Sequence, residues 1–136
     1  MKKILIDSGP MIALFNRDDK YHDASVGFIK KNKHELITTL ASITEVTHLL
    51  DFSREAQSNF LEWIRLGAVN IVNITIHDIE RIKWLMDKYA DLPMDFADAC
   101  LVHLGEKLDI NEVATIDRDF DIYRKSNRRS FTKLIS

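Results

Sequence analysis

Apolar residues recur along this chain in two alternating patterns. Short β-branched runs have the length of buried strands: Ile4-Leu5-Ile6 closing on Asp7, Leu36-Ile37-Thr38-Thr39, Val69-Asn70-Ile71-Val72 and Val113-Ala114-Thr115-Ile116. Between them, longer stretches repeat apolar positions at helical spacing. The clearest follows Thr75, a helix cap, with Ile76, Ile79, Ile82, Leu85, Met86 and Tyr89 on one face. Ser8-Gly9-Pro10 supplies a cap or turn, with proline at or near the first helical position, before a short helix over 11–15. Further helices are predicted over 22–31, 42–52, 54–66 with Gly67 as a stop, 75–89, and 93–105 between Pro93 and Gly105. Phe131 to Ile135 fits an edge strand. Strands alternating with helices predict a single α/β domain spanning residues 1–136, a three-layer α/β/α sandwich around a parallel sheet.

Composition adds little to that picture, and charge adds more. A chain of 136 residues buries a real core without disulfides. Its one cysteine, Cys100, has no internal partner and reads as a small buried hydrophobe in a reducing compartment. Met1-Lys2-Lys3 resembles the start of a signal peptide, but Asp7 interrupts the apolar stretch, and no window approaches membrane-spanning length. The cytoplasm, with no membrane attachment, is the expected location. The net charge of −2 provides no global basic field. From Asp117 onward, however, Arg118, Arg124, Lys125, Arg128, Arg129 and Lys133 face Asp117, Asp119 and Asp121, six against three, giving +3. That stretch is either an ordinary solvated surface or a rim that steers phosphates.

The chemistry rests on acids at the ends of apolar segments. Asp7 closes the first strand run and Asp117 the last. In a parallel sheet such positions converge, because ligands bind beyond the carboxyl ends of the strands. Gathered carboxylates repel one another unless a cation neutralises them, and an all-oxygen site suits Mg²⁺ or Mn²⁺. Each acid also has a local explanation. Asp7 can cap the helix near Pro10, Asp117 can open a turn, and Asp119 shares a side with Asp117 if strand geometry persists. Glu45 fits a capping box with Ser42, and His48 follows on the same helical face. Asp95 and Asp98 share one face near a helix start, where the macrodipole favours acids. That suffices for Asp95. Asp98, set among Ala97, Ala99, Cys100, Leu101 and Val102, needs a partner, and a metal is one.

At these residues the chain resembles the PIN-domain family, in particular its small bacterial and archaeal members, which include the VapC-type toxins. The resemblance is carried by Ile4-Leu5-Ile6-Asp7-Ser8-Gly9-Pro10, the segment Ser42-Ile43-Thr44-Glu45-Val46, Pro93-Met94-Asp95-Phe96-Ala97-Asp98-Ala99, and Thr115-Ile116-Asp117-Arg118-Asp119-Phe120. It implies a five-stranded parallel sheet and a Mg²⁺- or Mn²⁺-dependent endoribonuclease site with Asp7, Glu45, Asp98 and Asp117 as catalytic acids. Asp7, Asp98 and Asp117 would hold the metal, with Glu45, Asp95 and Asp119 as secondary ligands. Ser8 and Thr115 would support those acids, and Arg118, Arg124 or Lys125 would hold the RNA backbone. Hydrolysis would leave a 5′-phosphate and a 3′-hydroxyl. The resemblance further implies a homodimer and a cognate antitoxin. Met11, Phe15, Leu49, Phe60 and Trp63 offer apolar surface for them, unless helical spacing makes them core.

Two other functions compete with the nuclease. A phosphoacceptor receiver domain also collects acids at strand ends. It needs an acidic pair after its first strand, an Asp after a middle one and a Lys after a late one, and none stands here. A PIN-like module that binds RNA or protein without cutting is the other.

Overall fold

The computed structural model describes residues 2–125 and 129–135. β1 (Lys3–Ile6) lies at the centre of the sheet, flanked by β2 (Glu35–Thr38) and by β4 (Glu112–Ala114). β3 (Asn70–Ile71) pairs outside β2 and β5 (Thr132–Lys133) outside β4, and every pairing is parallel. The order is therefore β3-β2-β1-β4-β5. Both edge strands are shorter than their apolar runs predict. Their residues are exposed or half-exposed, as suits edges that must not recruit further strands.

Among the described residues six helices clothe this sheet: α1 (Ser8–Leu14), α2 (His22–Lys31), α3 (Leu40–Leu49), α4 (Arg54–Arg65), α5 (Ile79–Lys88) and α6 (Phe96–Leu108). The layers follow from the two-residue period of the strands. Ile4, Ile6, Leu36 and Ala114 point to one face and pack with Met11, Ile43, Val46, Leu50 and Phe60 from the α1, α3 and α4 region. Leu5, Ile37 and Val113 point to the other, against Ile82, Leu85, Leu101 and Leu104 of α5 and α6. Both faces are covered, which gives the expected α/β/α sandwich. Among the described residues no helix is long and apolar enough to cross a membrane.

Helix boundaries depart from the sequence reading in several places. α1 begins at Ser8 rather than at residue 11, with Asp7 as its cap, and α3 ends at Leu49 rather than at residue 52. α3 begins at Leu40 rather than Ser42, because Thr39 is its cap and accepts a hydrogen bond from the Ser42 amide. α6 begins after Asp95 rather than at Pro93, and it runs through Gly105 to a left-handed Asp109. Gly105 is there for packing. A Cβ on it would lie 2.7 Å from Phe131 and 3.0 Å from the Ile110 carbonyl oxygen. The helix after Thr75 opens with a 3-10 turn, Ile76–Asp78, before α5 proper. Asp78 there is buried and takes hydrogen bonds from the Thr75 amide at 2.8 Å and His103 at 2.7 Å. Those bonds tie the start of α5 to α6 and hold the Asp78 carboxyl well below its usual range.

Candidate metal and active site

The winding of the sheet reverses between β1 and β4, and ligands bind at such a switch point. Asp7 leaves β1 there and its amide donates to the Ala114 carbonyl at 3.0 Å. Asp117 emerges from the adjoining β4. Asp98 arrives from the first turn of α6, whose cap Asp95 accepts from the Asp98 amide at 2.8 Å. One carboxylate oxygen from each of Asp7, Asp98 and Asp117 lies within 4.8 Å of the other two.

Local hydrogen bonds and convergence coexist. Asp7 caps α1 by accepting from the Ser8 amide at 2.8 Å, and its other oxygen accepts from Thr115 Oγ1 at 2.9 Å. Thr115 Oγ1 also accepts from the Asp117 amide at 3.0 Å, so one buried hydroxyl links two of the acids. Asp117 caps the 3-10 turn Arg118–Asp121 by accepting from the Asp119 amide. A carboxylate offers about four lone-pair sites, so these bonds leave room for a cation. Glu45 does not form the expected capping box. It lies a turn inside α3, takes a hydrogen bond from Ser8 Oγ and faces Asp95. Asp119 is half-buried beside Asp117, and His48 is exposed.

Proximity and burial leave the acids starved of counter-charge. Burial lifts the Asp7 carboxyl to about 6, against hydrogen bonds from Ser8 and Thr115 that lower it. Asp98 is pushed further, to about 8, by burial and then by Asp7, Asp95 and Asp117. Burial also raises Glu45, opposed by Ser8 and aided by Asp95 and Asp117. A small, hard, all-oxygen cluster in that condition fits a divalent cation such as Mg²⁺ or Mn²⁺.

The expected basic rim is only partly present. Arg118 is exposed, and Arg124 is half-buried with its guanidinium on the carbonyls of Asp121 and Tyr123. Lys133 pairs with Asp121 at 3.3 Å. Lys125 does not join the rim: its ammonium is buried, bonded to Asn111 and 3.5 Å from Asp109. A buried ammonium needs those oxygens and has no surface to offer RNA. Arg128 lies outside the described residues. Of the apolar residues considered for partners, Met11 and Phe60 are core, Phe15 and Trp63 stack with Phe60, and Leu49 is half-exposed. An open groove of about 860 Å³ does adjoin Glu45 and Asp95, bordered by Leu40, Ile76 and Phe96.

One residue at the site carried no sequence signal. The Tyr123 phenol, fully buried, donates to Asp98 Oδ2 at 3.3 Å. Burial and then the Asp98 charge hold that phenol far above its usual range, so it is a donor. It stands between Ile122 and Arg124, where the sequence names no partner for it.

Fold and site together define a class, a parallel α/β sandwich that gathers carboxylates at its switch point. The family model of the PIN domain matches residues 4–126, and the chain belongs to the PIN-domain family. That membership removes the receiver-domain alternative. The chain is 24% identical over 117 residues to Ribonuclease VapC26 of Mycobacterium tuberculosis, covering 85% of this chain and 87% of that protein. Among solved structures it resembles M. tuberculosis VapC20, described as a sarcin-ricin loop cleaving toxin. The TM-score is 0.80 at 21% identity, covering 88% of this chain and 93% of that one. It also resembles a chain of VapBC2 from Rickettsia felis, solved bound to a DNA fragment from their promoter. There the TM-score is 0.62 at 10% identity, with 96% of each chain covered.

Proposed function

We propose that this protein is a divalent-metal-dependent endoribonuclease and the toxin of a toxin–antitoxin pair. The observation that carries the reading is the convergence of Asp7, Asp98 and Asp117 within 4.8 Å at the sheet's switch point. These three hold Mg²⁺ or Mn²⁺, with Glu45, Asp95 and Asp119, which interact electrostatically with acids of the cluster, as secondary ligands. The ion, when bound, supplies activation of water and neutralisation of charge on the scissile phosphate. Ser8 and Thr115 fix the acids that they touch. Glu45, directly or through water, completes the shell or orients the nucleophile, and burial raises its carboxyl pKa. Arg118 and Arg124 lie close in sequence to Asp117 and contact the RNA backbone without reading bases. Hydrolysis leaves a 5′-phosphate and a 3′-hydroxyl.

The ribonuclease relatives and the VapBC2 likeness support RNA as substrate and an antitoxin as partner. A homodimer in the cytoplasm completes the reading by family analogy. The test is incubation with total RNA in Mg²⁺, Mn²⁺ or EDTA, beside Asp98→Asn, with the cut ends mapped. Discrete metal-dependent cuts, reduced at least about 100-fold in the variant, are expected. Cleavage by Asp98→Asn at the wild-type rate overturns the assignment. Salt-sensitive RNA binding with no cutting under any metal leaves a binding module instead.

A further inference from the structure

Asp7 and Asp117 stand at strand ends, and each accepts a backbone amide as well as lying against Thr115. Asp98 stands differently. It projects from a helix, and its carboxylate takes a hydrogen bond from a side chain 25 positions away, Tyr123. That phenol is itself held rigidly. Its ring meets Tyr89 and Phe120 edge-on, each with centroids 5.1 Å apart, and Phe120 meets Phe131 at 5.9 Å. The Tyr123 amide donates to the Asp119 carbonyl at 3.1 Å, and the Arg124 amide donates to the Tyr89 hydroxyl at 2.9 Å. These core contacts fix where the phenol points, and a fixed donor suits the orientation of a ligand.

We propose that Tyr123 is a positioning residue of the acidic site, its phenol fixing the Asp98 carboxylate in the orientation that keeps one of its oxygens within reach of Asp7 and Asp117. The inference rests on the reading of this cluster as a metal site. Groups that orient metal ligands are typically worth about 10-fold or more in metal affinity. Removing the hydroxyl lets Asp98 sample other rotamers, and binding must then repay the loss.

The experiment compares wild type, Tyr123→Phe, Tyr89→Phe and Asp98→Asn by calorimetric titration with Mn²⁺ in the absence of RNA, with thermal midpoints in EDTA as a check on folding. Tyr123→Phe is expected to stay folded and to bind Mn²⁺ about 10-fold more weakly. Its RNA cleavage falls by the same factor at limiting Mn²⁺ and recovers at saturating Mn²⁺. Tyr89→Phe removes a hydroxyl from the same aromatic stack without touching an acid; its ring still packs on Tyr123, and it weakens Mn²⁺ binding far less than Tyr123→Phe does. Equal affinities for wild type and Tyr123→Phe overturn the positioning role while leaving the metal site intact. A weakening as large in Tyr89→Phe overturns it too, since general loosening would then suffice. Wild type that takes up no Mn²⁺ removes the metal site itself, a failure distinct from the first.

Discussion

Asp98 is held in a condition that a lone carboxylate would not choose. Unfolded, it titrates near the ordinary 3.8; folded, burial and then three neighbouring acids move it to about 8. Between those values the folded state binds the extra proton, so stability must fall as pH rises through the interval. Asp7, raised to about 6, adds to the same slope over the lower part of it. A tenfold change in proton affinity is worth roughly 1.4 kcal/mol, enough to be seen in a domain of ordinary stability. The thermal midpoint in EDTA is therefore expected to drop between pH 5 and pH 8. Mn²⁺ should raise it most at pH 8, and Asp98→Asn should flatten the slope and lose the metal response. A midpoint that climbs with pH in EDTA would contradict the electrostatic account. Asp7, Asp98 and Asp117 were legible in the sequence, since an acid that ends or interrupts an apolar run must answer for itself. Tyr123 was not, because its partner lies 25 positions away and nothing in the stretch from Asp121 to Lys125 points to Asp98.

Among the elements, α6 carries the most consequence: it delivers Asp98 at one end and packs tightly at the other. Gly105, three residues before its end, is the point of closest approach. Alanine there gains up to about 1 kcal/mol in helix propensity. Its Cβ, however, meets the Phe131 ring at 2.7 Å and a backbone oxygen at 3.0 Å, and overpacking of that kind costs about 1–3 kcal/mol. Gly105→Ala should lower the urea midpoint without changing the Mn²⁺ affinity. A gain in stability would mean that Phe131 moves aside freely. The element order and both sheet faces were legible from periodicity alone. Boundaries were less so, because their punctuation has more than one use. Ser42 and Glu45 have the spacing of a capping box while Thr39 does the capping. Gly105 has the look of a stop while making room for Phe131, which sits just before β5 and far along the chain.

Across the whole molecule, the site belongs to no single segment. Thr115 reaches Asp7 over 108 positions, and the β1–β4 pairing that permits this is parallel, a connection that forms only after long loops close. A fragment ending at Asn111 retains Asp7, Glu45 and Asp98 but lacks β4, Thr115 and Asp117. It should cut no RNA in any metal, whereas activity in it would remove Asp117 from the centre. The same arrangement sets a schedule during synthesis. On the nuclease reading proposed above, a growing chain that has not yet supplied β4 holds Asp7, Glu45 and Asp98 but lacks Asp117, so it waits for that strand before it can harm RNA. The interval between translation of β1 and docking of β4 is, on the same reading, a period of grace in which the proposed antitoxin can meet the nascent chain before it is armed.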